Sequence, residues 1–494
     1  METISIDSGP LAAAAPDAQG VQVYKGLPYA APPVGPLRWR APQPVAPWRE
    51  PRRTTAFGSS AMQGVIWDDI DLAGAGVSED CLYLNVWTPG TRERLPVLFW
   101  IHGGGFAAGS GAEPRYNGAR LAARGLVVVT VNYRLGAFGF LAHPELTGES
   151  GFSGNWGLFD LVAALQWTQR NIAAFGGDPA QVTIAGESAG SMAVSALMAS
   201  SLARGLFARA IGQSGALFSG AAEPIPTRQA AEERGLAFQA ELGAGSLAEM
   251  RALPAETVLA AAPGLGFRPI LDGRLLPRPL DAIFAEGAQA DVPLIAGWTK
   301  DEGFNFTWTP EEVPAGTYEA MVEKRFGTNA GAVLAHYPGG PEARASAAAL
   351  GGDLVIINKT WAWIEAQKAS GRAGIYRYRF DRAPPVRPGW FGPRDAREAG
   401  AFHAGDIPYV LDTLDATPWD CGPADRAAAE AASGYWVNFV KTGDPNGSGL
   451  PRWPSFRENG EVMLIDGQSR ATSEEGRERQ AFLRGLALNP PPER

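Results

Sequence analysis

The feature that most constrains this chain is a short apolar run that leads into a glycine–serine turn and then into an apolar helical pattern. Residues 181–185 read as a buried strand, residues 186–190 spell Gly-Glu-Ser-Ala-Gly, and apolar side chains recur at helical spacing over 189–198. Small residues around Ser188 permit a tight strand-to-helix turn with the hydroxyl at its tip, typical of a nucleophilic serine. The plain alternative is a Gly/Ser N-cap that begins an ordinary helix.

Further apolar runs and helical patterns extend this unit into a sheet. Each run is short, rich in Val, Leu, Ile or aromatic residues, and bounded by turn residues, as strands covered on both faces are. We predict strands at 82–88, 96–101, 126–133, 293–297 and 374–380, and a helix at 158–175. Strand, glycine turn and helix in repeated order predict an α/β fold with a mostly parallel, doubly wound sheet and right-handed crossovers.

The composition limits how the chain can be organised into domains and which classes of partner it can bind. We expect one domain over residues 1–494, with cap-like helical insertions at roughly 220–290 and 305–370. The net charge of −9 disfavours a nucleic-acid partner, and the apolar runs are too short to span a membrane. The N-terminus lacks the pattern of a secretory signal, and the only cysteines, Cys81 and Cys421, are expected as free thiols in a reducing cytoplasm.

A glycine-rich loop follows the strand predicted at 96–101. Residues 102–106 spell His-Gly-Gly-Gly-Phe, and three successive glycines allow backbone N–H groups to point into one small space. Two of these groups, together with the N–H of Ala189, are suited to hold the oxygen of a tetrahedral intermediate. A flexible turn is the plain alternative. A phosphate cradle is disfavoured because no Gly-Lys-Ser/Thr follows.

The chain has only four histidines, so the general base can be chosen by elimination. Hydrolases with such an elbow present serine, acid and histidine in that chain order, which excludes His102 and His143. His336 follows a helical stretch rather than a strand, which is typical of a structural residue. His403 follows the last predicted strand among small residues and is therefore the expected base.

The acid of the expected triad must follow a strand that lies between the serine and the base. Asp301 and Glu302 follow the strand predicted at 293–297, and position alone does not choose between them. One of the two is then a solvated surface charge.

Taken together, these segments resemble the type-B carboxylesterase family, which includes cholinesterases and bacterial para-nitrobenzyl esterases. The matching stretches are 26–35, 79–86, 132–134, 154–158, 175–190 and 438–443. The resemblance implies the α/β-hydrolase fold with helical insertions over the active site. It also implies a serine carboxylesterase that acts on small-molecule esters, needs no cofactor or metal, and is a monomer or small homo-oligomer.

The resemblance also assigns roles to individual residues. It implies a catalytic triad in which Ser188 is the nucleophile, Glu302 the acid and His403 the base. It places the N–H groups of Gly104, Gly105 and Ala189 in the oxyanion hole. It gives Ser214 a supporting hydroxyl near the triad. It further suggests two structural ion pairs, Arg38 with Glu79 and Arg134 with Asp160. Many animal members pair the cysteine at Cys81 with an upstream partner, but Met62 stands at that position here.

The expected chemistry is a two-step acyl transfer in which the serine attacks the carbonyl and water then hydrolyses the acyl-enzyme. Because an unperturbed histidine titrates at about 6.5, we expect activity to rise from acid through neutral pH. Hydrolysis of amides, lactones or aryl carbamate esters remains an alternative, as does a non-catalytic scaffold of the same fold. Loop aromatics offer candidates for the pocket wall, namely Trp67, Phe106, Phe218, Phe304, Trp308, Trp390 and Phe391.

Overall fold

A computed structural model of the chain describes residues 3–67, 69–74, 76–90, 94–219, 224–262, 264–306, 316–391 and 398–488. Parts of both predicted insertions, residues 220–223, 263 and 307–315, lie outside these ranges. Trp308, a candidate for the pocket wall, lies outside them as well.

Strands within the described residues form one large sheet and two small ones. They are β1 (Thr3–Ile6), β2 (Gly9–Ala12), β3 (Gln22–Pro28), β4 (Arg52–Arg53), β5 (Ser60–Ala61), β6 (Val77–Ser78), β7 (Tyr83–Thr88), β8 (Leu95–Ile101), β9 (Val127–Val131), β10 (Gly177–Glu187), β11 (Arg209–Gln213), β12 (Leu294–Thr299), β13 (Ile375–Phe380), β14 (Glu461–Ile465) and β15 (Arg470–Ser473).

The large sheet has the order β15-β14-β13-β12-β11-β10-β8-β9-β7-β3. The neighbours from β14 to β9 pair in parallel, and the pairs at the two edges are antiparallel. The prediction of a mostly parallel sheet is therefore confirmed. The edge strands β3 and β15 and the interior strands β11 and β14 were not predicted. In β3 the internal glycine and terminal proline hide the strand pattern, and such residues are tolerated at an edge.

Helices cover both faces of this sheet. They are α1 (Ala119–Ala123), α2 (Gly136–Phe140), α3 (Pro144–Ser150), α4 (Trp156–Asn171), α5 (Ala189–Ala199), α6 (Arg228–Glu241), α7 (Leu247–Ala252), α8 (Ala255–Ala261), α9 (Leu280–Ala285), α10 (Gly303–Phe306), α11 (Tyr318–Phe326), α12 (Ala330–His336), α13 (Ala343–Gly352), α14 (Asn358–Ser370), α15 (Ile407–Val410), α16 (Pro423–Thr442), α17 (Phe456–Asn459) and α18 (Arg477–Leu488).

Two groups of helices interrupt the alternation of strand and helix. Helices α6 to α9 lie between β11 and β12, and α10 to α14 lie between β12 and β13. A π-helical turn, Asp353–Ile357, joins α13 to α14. Residues of α11 to α13 form a small apolar cluster with α18 that is separate from the two clusters against the sheet. Helices α11 to α13 therefore share with α18 a core of their own, whereas α14 packs in the main core against the sheet.

Two buried arginines are paired with carboxylates. Arg38 makes two hydrogen bonds of 2.6 Å to Glu79, and Arg134 contacts Asp160 at 2.6 and 2.8 Å. Both expected ion pairs are therefore confirmed. A buried charge is tolerated only with such compensation.

Both cysteines are free thiols, as the sequence predicted. Across the part of the chain that the structure describes, no helix has both the length and the apolarity that a bilayer crossing requires.

The parallel strands bring distant parts of the chain to one edge. Because their carboxyl ends share that edge, the segments that follow β8, β10, β12 and β13 meet there. These are the segments in which the sequence predicts the glycine loop, the serine elbow, the acid and the base.

Candidate active site

Ser188 lies at a sharp turn between β10 and α5. Its φ of 54° and ψ of −120° are unusual for a residue with a side chain, and its N–H donates to Gln213 O at 2.8 Å. A Cβ at Gly190 would collide with Ile101 O, so only glycine allows the elbow to pack this closely against β8. The strain is characteristic of an exposed nucleophile at a strand–helix turn.

The glycine loop after β8 packs against this elbow. A Cβ at Gly103 would lie 3.2 Å from Ser188 Cβ, so the two segments are in direct contact. Gly104 and Gly105 have φ values of 98° and 60°, which a side chain would disfavour. Among the described residues, the N–H groups of Gly104, Gly105 and Ala189 have no hydrogen-bond acceptor. Three backbone donors are thus available next to the serine.

His403 contacts one of the two acidic candidates. Its Nδ1 lies 2.6 Å from Glu302 Oε2, and Glu302 Oε1 accepts the Thr299 N–H at 2.9 Å. Asp301 is directed elsewhere and accepts the Ala401 N–H at 2.8 Å. The carboxylate of Glu302 is completely buried, so the imidazole is its compensating partner.

The other ring nitrogen of His403 faces Glu187 rather than Ser188. Nε2 lies 3.2 Å from Glu187 Oε1, without the alignment of a hydrogen bond, and no hydrogen bond joins the ring to Ser188 within the described part of the chain. Ser188, Glu187 and His403 nevertheless line the same cavity. The imidazole therefore shares the cavity with the Ser188 hydroxyl, while its Nε2 is directed at Glu187.

Burial and neighbouring charges shift the titration of this cluster. Burial raises the pKa of Glu187 to about 8 and that of Asp406 to about 6. For His403 burial works against the charged ring, but the carboxylates of Glu187 and Glu302 outweigh it and raise the pKa to about 9. The shift corrects the expectation of an unperturbed histidine. It also means that a proton is held strongly at this site.

Asp406 and Ser214 lie behind the site. Asp406 Oδ2 accepts from Gln213 Nε2 and from the Tyr378 hydroxyl, both at 3.0 Å. Ser214 is fully buried with a φ of 54°, and its Oγ has no hydrogen-bond partner among the described residues. Burying a hydroxyl without a hydrogen-bond partner costs free energy. The Ser214 hydroxyl is therefore available to donate a hydrogen bond.

The other three histidines make contacts elsewhere in the fold. His102 is buried and stacked on Tyr133, and burial lowers its pKa to about 4. His143 caps α3 and contacts Gln239, and His336 packs against Phe482.

A cavity of about 230 Å³ opens at the serine. Of the aromatic candidates, Trp67, Phe106 and Phe218 line it, whereas Phe304 and Phe391 pack on each other with ring centroids 4.8 Å apart. Trp390, like that pair, is not part of the wall. No group of three or more metal-ligating side chains is found where the structure is described.

Sequence reasoning missed Glu187 and Phe306. Glu187 occupies the variable position of the Gly-x-Ser-x-Gly turn, so its adjacency to Ser188 was a usable signal. Phe306 packs its ring edge-to-face with the His403 ring at 4.8 Å. No sequence pattern pairs those two residues, because only the fold brings α10 to the loop after β13.

Comparison with known proteins shows which family the chain belongs to. The model of the carboxylesterase family matches residues 8–483. The chain is 38% identical to the fumonisin B1 esterase of Sphingopyxis macrogoltabida, covering 91% of this chain and 84% of that one. It is 37% identical to the para-nitrobenzyl esterase of Bacillus subtilis (strain 168), covering 91% and 92%.

The fold agrees with these sequence matches. A solved thermophilic para-nitrobenzyl esterase superposes with a TM-score of 0.85 at 34% identity, over 98% of this chain and 99% of that one. The architecture is thus the α/β-hydrolase fold. The chain belongs to the carboxylesterase family and is a carboxylic-ester hydrolase.

Proposed function

We propose that this hydrolase works through Ser188 as nucleophile, His403 as general base and Glu302 as the acid that orients the base. The observation that carries the proposal is the 2.6 Å contact between His403 Nδ1 and Glu302, at a cavity that Ser188 also lines. A carboxylate on Nδ1 keeps the other ring nitrogen free to take a proton, and it stabilises the imidazolium that forms.

The first half-reaction forms an ester on the enzyme. His403 Nε2 takes the Ser188 proton as Oγ attacks the substrate carbonyl, and it returns that proton to the departing alcohol. Nε2 must turn from Glu187 to Ser188 for this step. Such hydrogen bonds are commonly long in the free enzyme and shorten when substrate is bound. Water then repeats the sequence and releases the acid.

The backbone donors complete the site. We assign the N–H groups of Gly104, Gly105 and Ala189 to the oxyanion of the tetrahedral intermediate. These N–H groups have no other acceptor among the described residues and lie in the loop and elbow that pack on each other at Ser188, which supports this role, because donors fixed before the reaction cost no reorganisation. Ser214 is assigned as a supporting donor behind Ser188, since its buried hydroxyl has no partner among the described residues.

The coarser organisation follows the same proposal. We regard residues 1–494 as one catalytic domain, with the insertions at roughly 220–290 and 305–370 as a cap. This assignment of a cap is supported by Leu265 of the first insertion and Ile356 of the second, which both line the cavity. The substrate is a small-molecule ester. The two free thiols favour the cytoplasm as the location.

Replacement of the serine tests the mechanism. Ser188→Ala is expected to lower kcat by about four to six orders of magnitude and to abolish labelling by a fluorophosphonate. Ser201→Ala, at an exposed serine, is the matched control and should change neither. Circular dichroism checks that both variants are folded. If the fluorophosphonate does not label the wild-type protein, the protein is a non-catalytic scaffold. If the Ser188→Ala variant retains turnover, the proposed nucleophile is overturned.

The same assay separates acyl classes. Parallel rates on matched para-nitrophenyl esters, anilides and aryl carbamates measure which acyl bond the site prefers. We expect the esters to have the highest kcat/KM. An anilide must expel an amine, which leaves less readily than an alcohol, and the nitrogen of a carbamate makes its carbonyl carbon less electrophilic.

A further inference from the structure

The C-terminal helix α18 directs three side chains into the protein from one of its faces. Leu483 and Arg484 follow Gln480 by three and four positions, so the three residues lie on the same face of the helix. Leu483 is completely buried in the apolar cluster with α11 to α13, and Gln480 is buried as well. The Arg484 side chain is largely buried. This face therefore combines one apolar anchor with two polar groups that can bind other segments.

Gln480 holds both ends of the π-helical turn. Its Nε2 donates to Asp353 Oδ1 at 2.7 Å, at the first residue of the turn. Asn358, directly after the turn, donates from Nδ2 to Gln480 O at 2.8 Å and to Gln480 Oε1 at 3.0 Å. Asp353 is completely buried, and it also contacts the Tyr337 hydroxyl at 2.6 Å and Arg479 at 2.8 Å. Because a buried carboxylate depends on such partners, the turn is tied to α18.

The π-helical turn forms part of the cavity at the serine. Val355 and Ile356, both from the turn, line that cavity. Gly352, directly before the turn, packs on the proposed acid, since a Cβ at this glycine would lie 3.1 Å from Glu302 Cβ. Turns of this kind occur frequently at functional sites. A shift of the turn would therefore change the shape of the cavity beside the proposed acid.

Arg484 reaches a second wall of the same cavity. It donates to Ser219 O at 2.8 Å and pairs with Asp281, whose carboxylate also accepts the Ser219 N–H at 3.2 Å. The neighbouring Phe218 lines the cavity and packs edge-to-face on Phe284 of α9, with ring centroids 5.2 Å apart. Since Asp281 also lies on α9, Arg484 joins α18 to both the backbone and the helix that support Phe218.

We propose that α18 is a clamp that holds these two walls at a fixed separation, with Gln480 and Arg484 as its positioning residues. They are one helical turn apart, about 6 Å along the axis. The inference rests on the proposed function, in which the cavity at Ser188 receives the ester. Neither positioning residue is among the described residues that line the cavity, so each acts through the segment that it holds. The clamp limits the size of the ester that fits, whichever side of the carbonyl faces these walls.

Ester pairs that differ in size test the clamp. One pair enlarges the acyl group, para-nitrophenyl acetate against hexanoate, and the other enlarges the alcohol, phenyl acetate against 1-naphthyl acetate. The measured quantity is the ratio of kcat/KM for the smaller ester over the larger, in which intrinsic reactivity cancels between variants. Gln480→Met and Arg484→Met remove the polar contacts but keep unbranched side chains. We expect each variant to reduce the ratio in at least one pair about threefold to tenfold, a modest effect for a pocket because the wall residues themselves remain.

Arg477→Met is the matched control on the same helix. Arg477 pairs with Glu365 of α14 at 2.9 and 3.0 Å, and neither residue is among those that line the cavity. Its variant loses an ion pair of α18 without altering either wall, so its ratios should equal those of the wild type. Arg484→Lys keeps a donor for Asp281 and should restore most of the wild-type ratio. Asp281→Asn weakens the same link from α9 and should lower the ratio even if Arg484→Met does not fold.

The outcomes separate the clamp from the proposed function. Circular dichroism and fluorophosphonate labelling identify the variants that are folded and have a working nucleophile. Such variants of Gln480 and Arg484 overturn the clamp if both ratios stay at the wild-type value or rise, even where activity on all esters falls together. An equal change in Arg477→Met would show general loosening of α18 and would overturn the clamp as well. Wild-type protein that fails to label overturns the proposed function itself.

Discussion

Replacing Glu187 by glutamine should move the pH dependence of catalysis toward acid. The carboxylate lies 3.2 Å from His403 Nε2, the nitrogen that must be deprotonated if His403 is the base, as proposed. The wild-type pKa of His403 is raised to about 9 despite burial, by Glu187 and Glu302. Since kcat/KM of the free enzyme rises as the base loses its proton, its acid limb should lie well above the usual histidine value of about 6.5.

The size of the shift follows from the geometry. Two unit charges 3.2 Å apart interact by about 5 kcal/mol at an effective dielectric constant of about 20. This value is a ceiling, because the pKa of Glu187 is itself raised to about 8 by burial, so the carboxyl keeps its proton over much of the range. Glu302 and Asp406 remain in the variant and continue to favour the charged ring. We therefore expect the limb to fall by about one to two pH units, or about 1.4 to 2.7 kcal/mol.

The assay is a profile of kcat/KM on para-nitrophenyl acetate from about pH 5 to about pH 10. Glu113→Gln is a suitable control, because Glu113 is also buried, with its pKa raised to about 7, but contacts Arg115 rather than His403. The control should retain the wild-type limb. The reasoning would be refuted by a Glu187→Gln limb that stays at the wild-type position, or by a wild-type limb near 6.5.

Other perturbations have equally definite outcomes. Glu302→Gln should lower kcat about 10⁴-fold on para-nitrophenyl acetate, whereas Asp301→Asn should keep most of the activity because that carboxylate contacts backbone only; equal losses would contradict the assignment. Asp160→Asn should reduce the free energy of unfolding in urea by about 3 to 5 kcal/mol, since it leaves a buried guanidinium without its charge partner, and an unchanged midpoint would contradict this. Gly190→Ala should prevent accumulation of folded protein, as judged by circular dichroism and size-exclusion chromatography. Gly331→Ala, in open space on α12, should fold normally.

Much of the fold could be read from local pattern. The strands β7 to β9, β12 and β13 and the helix α4 were predicted close to their observed bounds, and β10 was predicted over its central residues 181–185, because near-continuous apolar runs are typical of strands covered on both faces. The edge strands β3 and β15 were not predicted, since an edge imposes weaker demands on composition. The interior strands β11 and β14 were missed as well. The glycine loop and the serine elbow were recognisable because their backbone geometry requires particular small residues.

The contacts that distinguish one acid from another were not local. Asp301 and Glu302 are adjacent in the chain, and only the packing of the loop after β13 brings Glu302 to His403 and Asp301 to a backbone N–H. The elevated pKa of His403 likewise depends on carboxylates that are far apart in sequence. Electrostatic shifts follow distance and burial, which the fold sets and the pattern does not encode.

By itself the sequence determined the sheet, the strained turn at Ser188 and the set of groups available for acyl transfer, since backbone geometry and apolar periodicity are local properties. The tertiary structure decided which carboxylate meets the imidazole and that Glu187 occupies the space beside Nε2. Each of these contacts joins segments from separate loops, and their spacing is fixed only when the parallel strands align at a common edge.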